Sequence, residues 1–133
     1  MSAWRRVALE MIPQCRKLIE QSENVSMLWI ELHLAFERAY EEPKDAALIA
    51  SIYRYASWCL KDSHNVNVQT AVVVAFYEHL PVGSQAVREE MPQWLSQEDF
   101  EGLRGPFHYF LSDKEFAAFE REFHKHRAAR RRE

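Results

Sequence analysis

AALIASIYRYASWCLKDSHNVNVQTAVVVAFYEHLP, residues 46–81, is the stretch on which the fold turns. It is the most apolar and most aromatic third of the chain. Its first half sets Leu48, Ile49, Ile52, Tyr55, Ala56, Cys59 and Leu60 on one stripe at a 3.6-residue period, the spacing of a core-facing helix. Pro43 and Asp45 stand ahead of it, where a missing N–H costs nothing and a negative charge suits the helix dipole. Lys61-Asp62-Ser63-His64-Asn65 then breaks the pattern with turn-forming and capping residues. The second half reads two ways. Val66, Val68, Thr70, Val72, Val74 and Phe76 alternate as a half-buried strand would, while Val68, Ala71, Val72, Ala75, Phe76, His79 and Leu80 make a helical stripe. The pattern continues through Tyr77-Glu78-His79-Leu80 to the stop signals Pro81 and Gly83, and that length favours the helix. Valines lose rotamer freedom in a helix, so this one must be buried on most sides. Two helices joined by a short turn make an αα-hairpin, expected at the centre of the core.

Ile52-Tyr53-x-Tyr55-Ala56-x-Trp58-Cys59, followed by Ala71-Val72-x-Val74-Ala75-Phe76-Tyr77-Glu78-His79-Leu80, resembles small bacterial all-helical proteins of uncharacterised function. Pro92-x-Trp94-Leu95-Ser96-x-Glu98-Asp99-Phe100 is similar to them too, so the likeness covers about residues 46–120. It implies a helical domain and brings no catalytic residue with it.

Toward the N-terminus, Trp4, Val7, Ala8, Met11, Cys15, Leu18 and Ile19 hold one stripe that Pro13 interrupts. Two collinear pieces on one surface are expected there. Val25, Leu28, Trp29, Leu32, Phe36, Ala39 and Tyr40 form the cleanest amphipathic helix in the chain. Met27, Ile30 and Leu34 widen its apolar arc, so it should touch two neighbours. Toward the C-terminus, a short helix is expected over residues 84–91, and Ser96-Gln97-Glu98-Asp99 opens another that ends between Gly102 and Gly105. Residues 106–111 read as an aromatic turn. Ser112-Asp113-Lys114-Glu115 is a capping box, and Phe116, Phe119 and Phe123 face the core from the last helix. That helix leads into a basic, frayed tail over residues 125–133.

With 133 residues, 47% of them hydrophobic and only three glycines, the chain is one domain's worth of helical protein with a core of its own. No apolar run approaches the ~20 residues of a membrane span, and residues 1–6 do not open a signal peptide. Cys15 and Cys59 fall on apolar stripes, as buried thiols in the cytoplasm would.

Four constellations carry what functional signal there is. The exposed aromatics are the first: Tyr53 and Trp58 lie off the main stripe of their helix, and exposed aromatic side chains are binding anchors more often than other surface residues. His33 and Glu37 share a helix face at i, i+4, and Glu78-His79 lies on the hairpin, so together the four could ligate a metal. No His-Glu-x-x-His motif strengthens that reading. Cys59 beside a histidine would be a nucleophile only if it escaped burial. Finally, residues 121–133 hold six Lys or Arg against two Glu, +4, which leaves −7 for the rest of a chain whose total is −3. An acidic body without a second basic patch argues against nucleic acid.

The sequence therefore predicts an all-α, compact, irregular bundle of five to seven helices around the hairpin. No cofactor and no membrane contact are implied. The expected function is non-catalytic protein–protein interaction, as in a small bacterial accessory or immunity-type protein. Tyr53 and Trp58, with acidic neighbours, form its surface, and the partner is a foreign protein or a second copy. A small enzyme using His33, Glu37, Glu78 and His79 is the alternative, and nucleic-acid contact through Arg121 to Arg132 is the third reading.

Overall fold

The computed structural model describes residues 1–131, and every regular element among them is helical. The chain divides into two compact units, residues 1–76 and the remainder from Tyr77 on.

In the first unit, α1 (Ala3–Met11) stops just before Pro13, which has no N–H to continue it. A 3-10 turn (Pro13–Cys15) leads into α2 (Arg16–Gln21). Asn24 starts α3 (Val25–Ala39) by accepting from the Met27 amide, and Asp45 starts α4 (Ala46–Ser57) by accepting from the Leu48 amide at 3.0 Å. The end of α4 widens into a π-helical turn (Trp58–Asp62), closed by the Ser63 amide donating to the Trp58 carbonyl. Asn65 then caps α5 (Val66–Ala75), accepting from the Asn67 and Val68 amides. The valine-rich stretch is therefore helical. Val68, Ala71 and Val72 are buried at helical spacing, while Val66 and Val74, which a half-buried strand would turn inward with Val68, are exposed.

The hairpin expected over residues 46–80 is not the organising pair. α5 ends at Ala75 and packs on α3 and on the π-helical turn, so α3 is the central element. The reason is Trp29. Its ring is fully buried, stacks on Tyr55 at 5.4 Å and meets Phe76 at 5.2 Å; Tyr55 in turn stacks on Trp58 at 6.1 Å. Phe36, also on α3, sets its edge to Phe76 at 5.0 Å and to Tyr53 at 5.5 Å. The fully buried rings in this unit thus converge on α3. The Tyr55 hydroxyl donates to the Trp4 carbonyl at 2.8 Å and ties α4 to α1.

The second unit opens with a 3-10 turn (Tyr77–Val82), followed by α6 (Gln85–Trp94), α7 (Gln97–Gly102), α8 (Arg104–His108) and α9 (Asp113–Arg131). α7 carries a capping box between Ser96 and Asp99, and Ser112 and Glu115 exchange the same pair of bonds at the start of α9. α6 and α9 pack along each other. Phe100 sits inside a ring of phenylalanines, with Phe123 at 4.7 Å, Phe107 at 5.5 Å and Phe119 at 5.8 Å. Arg104 covers the rings of Phe100 and Phe116 and binds the carboxylates of Glu101 and Glu120. Its hydrogen bonds hold both carboxyls below the usual carboxylate range.

Nine α-helices stand among the described residues, not five to seven. The expected count leaves out a short piece read as a turn. The division of α1 from α2 at Pro13 is the expected one, whereas the segment expected as an aromatic turn begins inside α8, which follows α7 after Gly102 with only Leu103 between. α6 extends past the expected residue 91 to Trp94, with Pro92 inside its last turn. α9 covers residues 125–131 of the expected tail; Arg132 and Glu133 lie outside the described residues. No helix of the described residues is long and apolar enough to cross a membrane.

Candidate functional site

α3 has two apolar faces. Val25, Leu28, Trp29, Leu32, Phe36 and Ala39 are buried. On the other face Met27, Ile30 and Leu34 are 45%, 55% and 43% exposed. Their i, i+3, i+7 spacing keeps them within about 60° of arc on the helix surface. The second neighbour expected for this helix does not cover them, and three large side chains stay in water together. Scattered exposed hydrophobics are ordinary, but an adjacent row on one helix is a patch.

The patch borders a groove of about 580 Å³ between α2 and α3, with Lys17, Leu18, Gln21 and Ser22 on one wall and Met27, Ile30 and Glu31 on the other. Its walls are held by α1. The Arg5 guanidinium donates to the carbonyls of Ile19 at 2.6 Å, Glu20 at 3.2 Å and Ser22 at 2.7 Å, satisfying the end of α2 where helical partners run out. The Ser22 hydroxyl donates back to the Leu18 carbonyl at 2.8 Å. Asn24 then turns the chain into α3. Lys17 and Glu31 are exposed on opposite walls, so the rim carries one charge of each sign.

The residues singled out in the sequence fall elsewhere. Tyr53 is only 4% exposed and lies in the ring cluster with Phe36 and Phe76, so it is a core residue and not a surface anchor. It is off the main stripe of α4 because that helix is packed on more than one side, against α1 and α3. Trp58 is half-buried at the π-helical turn, its ring stacked on Tyr55. His33 Nδ1 lies 3.6 Å from Glu37 Oε1 on α3. Glu78 and His79 belong to the second unit, in the turn that opens it. Burial pushes the Glu78 carboxyl up, and the His79 ring lies 5.1 Å from that of Phe110. Among the described residues no group of three or more His, Cys, Asp or Glu is placed to hold a metal ion.

Cys15 is half-buried, less enclosed than its stripe suggests; Cys59 is fully buried. Burial pushes the Cys59 thiol up to about 12, although the Trp29 and Tyr55 side chains that face it pull the other way. The thiolate is the nucleophilic form, so Cys59 is unreactive near neutral pH. The shift also predicts an alkaline weakness. The unfolded thiol ionises near 9.0, and the folded one keeps its proton to about 12. Below pH 9 both states hold the proton and stability does not vary from this source. Between pH 9 and 12 the unfolded state alone releases it, so stability falls as pH rises. Burial raises the Tyr55 phenol as well, which acts in the same direction above pH 10. The urea midpoint should decline steadily from pH 9 upward, and Cys59→Ala should flatten part of that slope. A wild-type midpoint constant to pH 11 would show that both groups ionise inside the fold.

The groove was not legible as a site, but one signal for it was: the apolar arc of α3 is wider than one helix neighbour can cover. No family model matches the chain, and no curated protein or solved structure matches it either.

Proposed function

We propose that this chain works without catalysis, as an accessory protein that receives an amphipathic helix of a partner protein on its α2–α3 groove. The observation that carries this reading is the exposed row Met27, Ile30 and Leu34 beside the groove. The row steps by three and then four residues, the 3.5-residue average of a helix–helix seam, so a second helix laid along α3 would meet all three side chains. Each is about half exposed, and covering it contributes on the order of 1 kcal/mol. Lys17 and Glu31 on facing walls set the partner helix in one direction, because opposite charges at the rim reward complementary order and penalise the reverse.

Ile30→Glu places a charge at the centre of the row. Val74→Glu does the same on α5, at a residue outside the groove that is equally exposed. Both positions are on the surface, so circular dichroism should show native helix content in each. A stoichiometric protein captured from the source cells by the wild type and by Val74→Glu, and lost with Ile30→Glu, is the expected result. The same proteins captured by all three would end the groove reading. A wild-type dimer in sedimentation that Ile30→Glu dissolves would replace the partner with a second copy.

A further inference from the structure

The second unit carries a face of a different character. Lys114, Arg121 and Lys125 lie along one line of α9, within about 40° of arc, and all three are exposed. They span three helical turns, about 16 Å. Ala117, Ala118 and Ala128 lie on the same exposed face and keep it low. Three other arginines of this unit, Arg88, Arg104 and Arg130, find partners within it. Arg88 reaches Glu122 at 3.0 Å, Arg104 reaches Glu101 and Glu120, and Arg130 donates to the Glu89 carbonyl at 3.3 Å. Among the described residues no carboxylate pairs with Lys114, Arg121 or Lys125. Beside the last two, a groove of about 340 Å³ between α6 and α9 is lined also by Gln85, Arg88 and His126. Its one carboxylate, Glu122, is engaged by Arg88 and lies 3.8 Å from His126.

We infer that this face of α9 is a docking strip for an acidic helix of a protein partner, separate from the α2–α3 groove. The charge is complementary and the strip is narrow. A helix bearing Asp or Glu at the same period would set its carboxylates along one line, opposite the three cations, with the alanines letting its backbone come close. Nucleic acid fits less well. A phosphate backbone presents charge over a broad surface and would meet Glu115 and Glu122, which flank the strip. The strip also has no aromatic ring on which a base could stack.

The test uses the full chain and a fluorescein-labelled helical peptide of about 18 residues with glutamates along one face, followed by anisotropy. Binding is expected at about 50 mM salt and should weaken strongly at about 500 mM. The double variant Arg121→Glu/Lys125→Glu should weaken it by about tenfold or more, and Arg121→Gln/Lys125→Gln by less, in the same order. Ile30→Glu should leave it unchanged, which keeps this strip and the α2–α3 groove distinguishable. A peptide of the same composition with its glutamates spread around the helix should bind more weakly. The inference is overturned if the one-faced peptide fails to bind, if binding survives charge reversal, or if a DNA duplex of similar length binds more tightly than the peptide.

Discussion

Trp29→Ala should lower the free energy of unfolding by about 3–5 kcal/mol, the largest single loss available in the first unit. Trp29 is fully buried, and its ring lies between Tyr55 and Phe76 while its helix packs against α4 and α5. Truncation removes that ring from both partners at once and leaves a cavity in a fully buried site. Domains of this size are stable by about 5–15 kcal/mol, so the variant would sit near the edge of folding. Urea denaturation followed by circular dichroism measures the difference. Trp29→Phe keeps a ring in the stack and should recover much of the loss. A change below about 1 kcal/mol for the alanine variant would mean that α3 is not the centre of this unit.

Phe100→Ala should cost a similar amount, about 3–5 kcal/mol, in the second unit. Phe100 is fully buried among Phe107, Phe116, Phe119 and Phe123, contributed by α8 and α9, and the Arg104 guanidinium lies 5.5 Å from its ring. α7 and α8 have six and five residues, too short to hold helical structure alone. They depend on this cluster. Hydrogen exchange should therefore show amide protection lost across α7 and α8 in the variant. Retained protection there would show that the capping box of α7 and the Arg104 ion pairs suffice without the ring.

Much of the helical reading was legible because it rests on local chemistry. The Ser96–Asp99 and Ser112–Glu115 caps are formed by residues three apart, and the bonds they predict are present. The phenylalanines at 116, 119 and 123 are buried together on one face of α9, as their spacing requires. The 66–75 stretch is a helix, and the Asn65 cap that starts it is local chemistry as well.

Tyr53, Met27, Ile30 and Leu34 show where local reading stops. Each is an apolar residue away from the main stripe of its helix. Tyr53 is buried because Phe36 and Phe76 come to it from α3 and from the end of α5, whereas the other three stay exposed because no described element lies over them. Period and composition treat these cases alike. The cationic line on α9 is similar: the residues are plain in sequence, but only the fold shows that Arg88 and Arg104 find carboxylates and that Lys114, Arg121 and Lys125 do not.

The sequence by itself determined that this protein is helical, where most helices begin, and which residues of each helix are apolar. These properties depend on neighbours within one or two turns, whose separation along the chain sets their separation in space. Only the tertiary structure decided that α3, and not the 46–80 hairpin, is central, and which apolar and charged faces remain uncovered. Those outcomes depend on which helices meet across long stretches of chain, and an amphipathic stripe fixes the face to be buried without naming the surface that buries it.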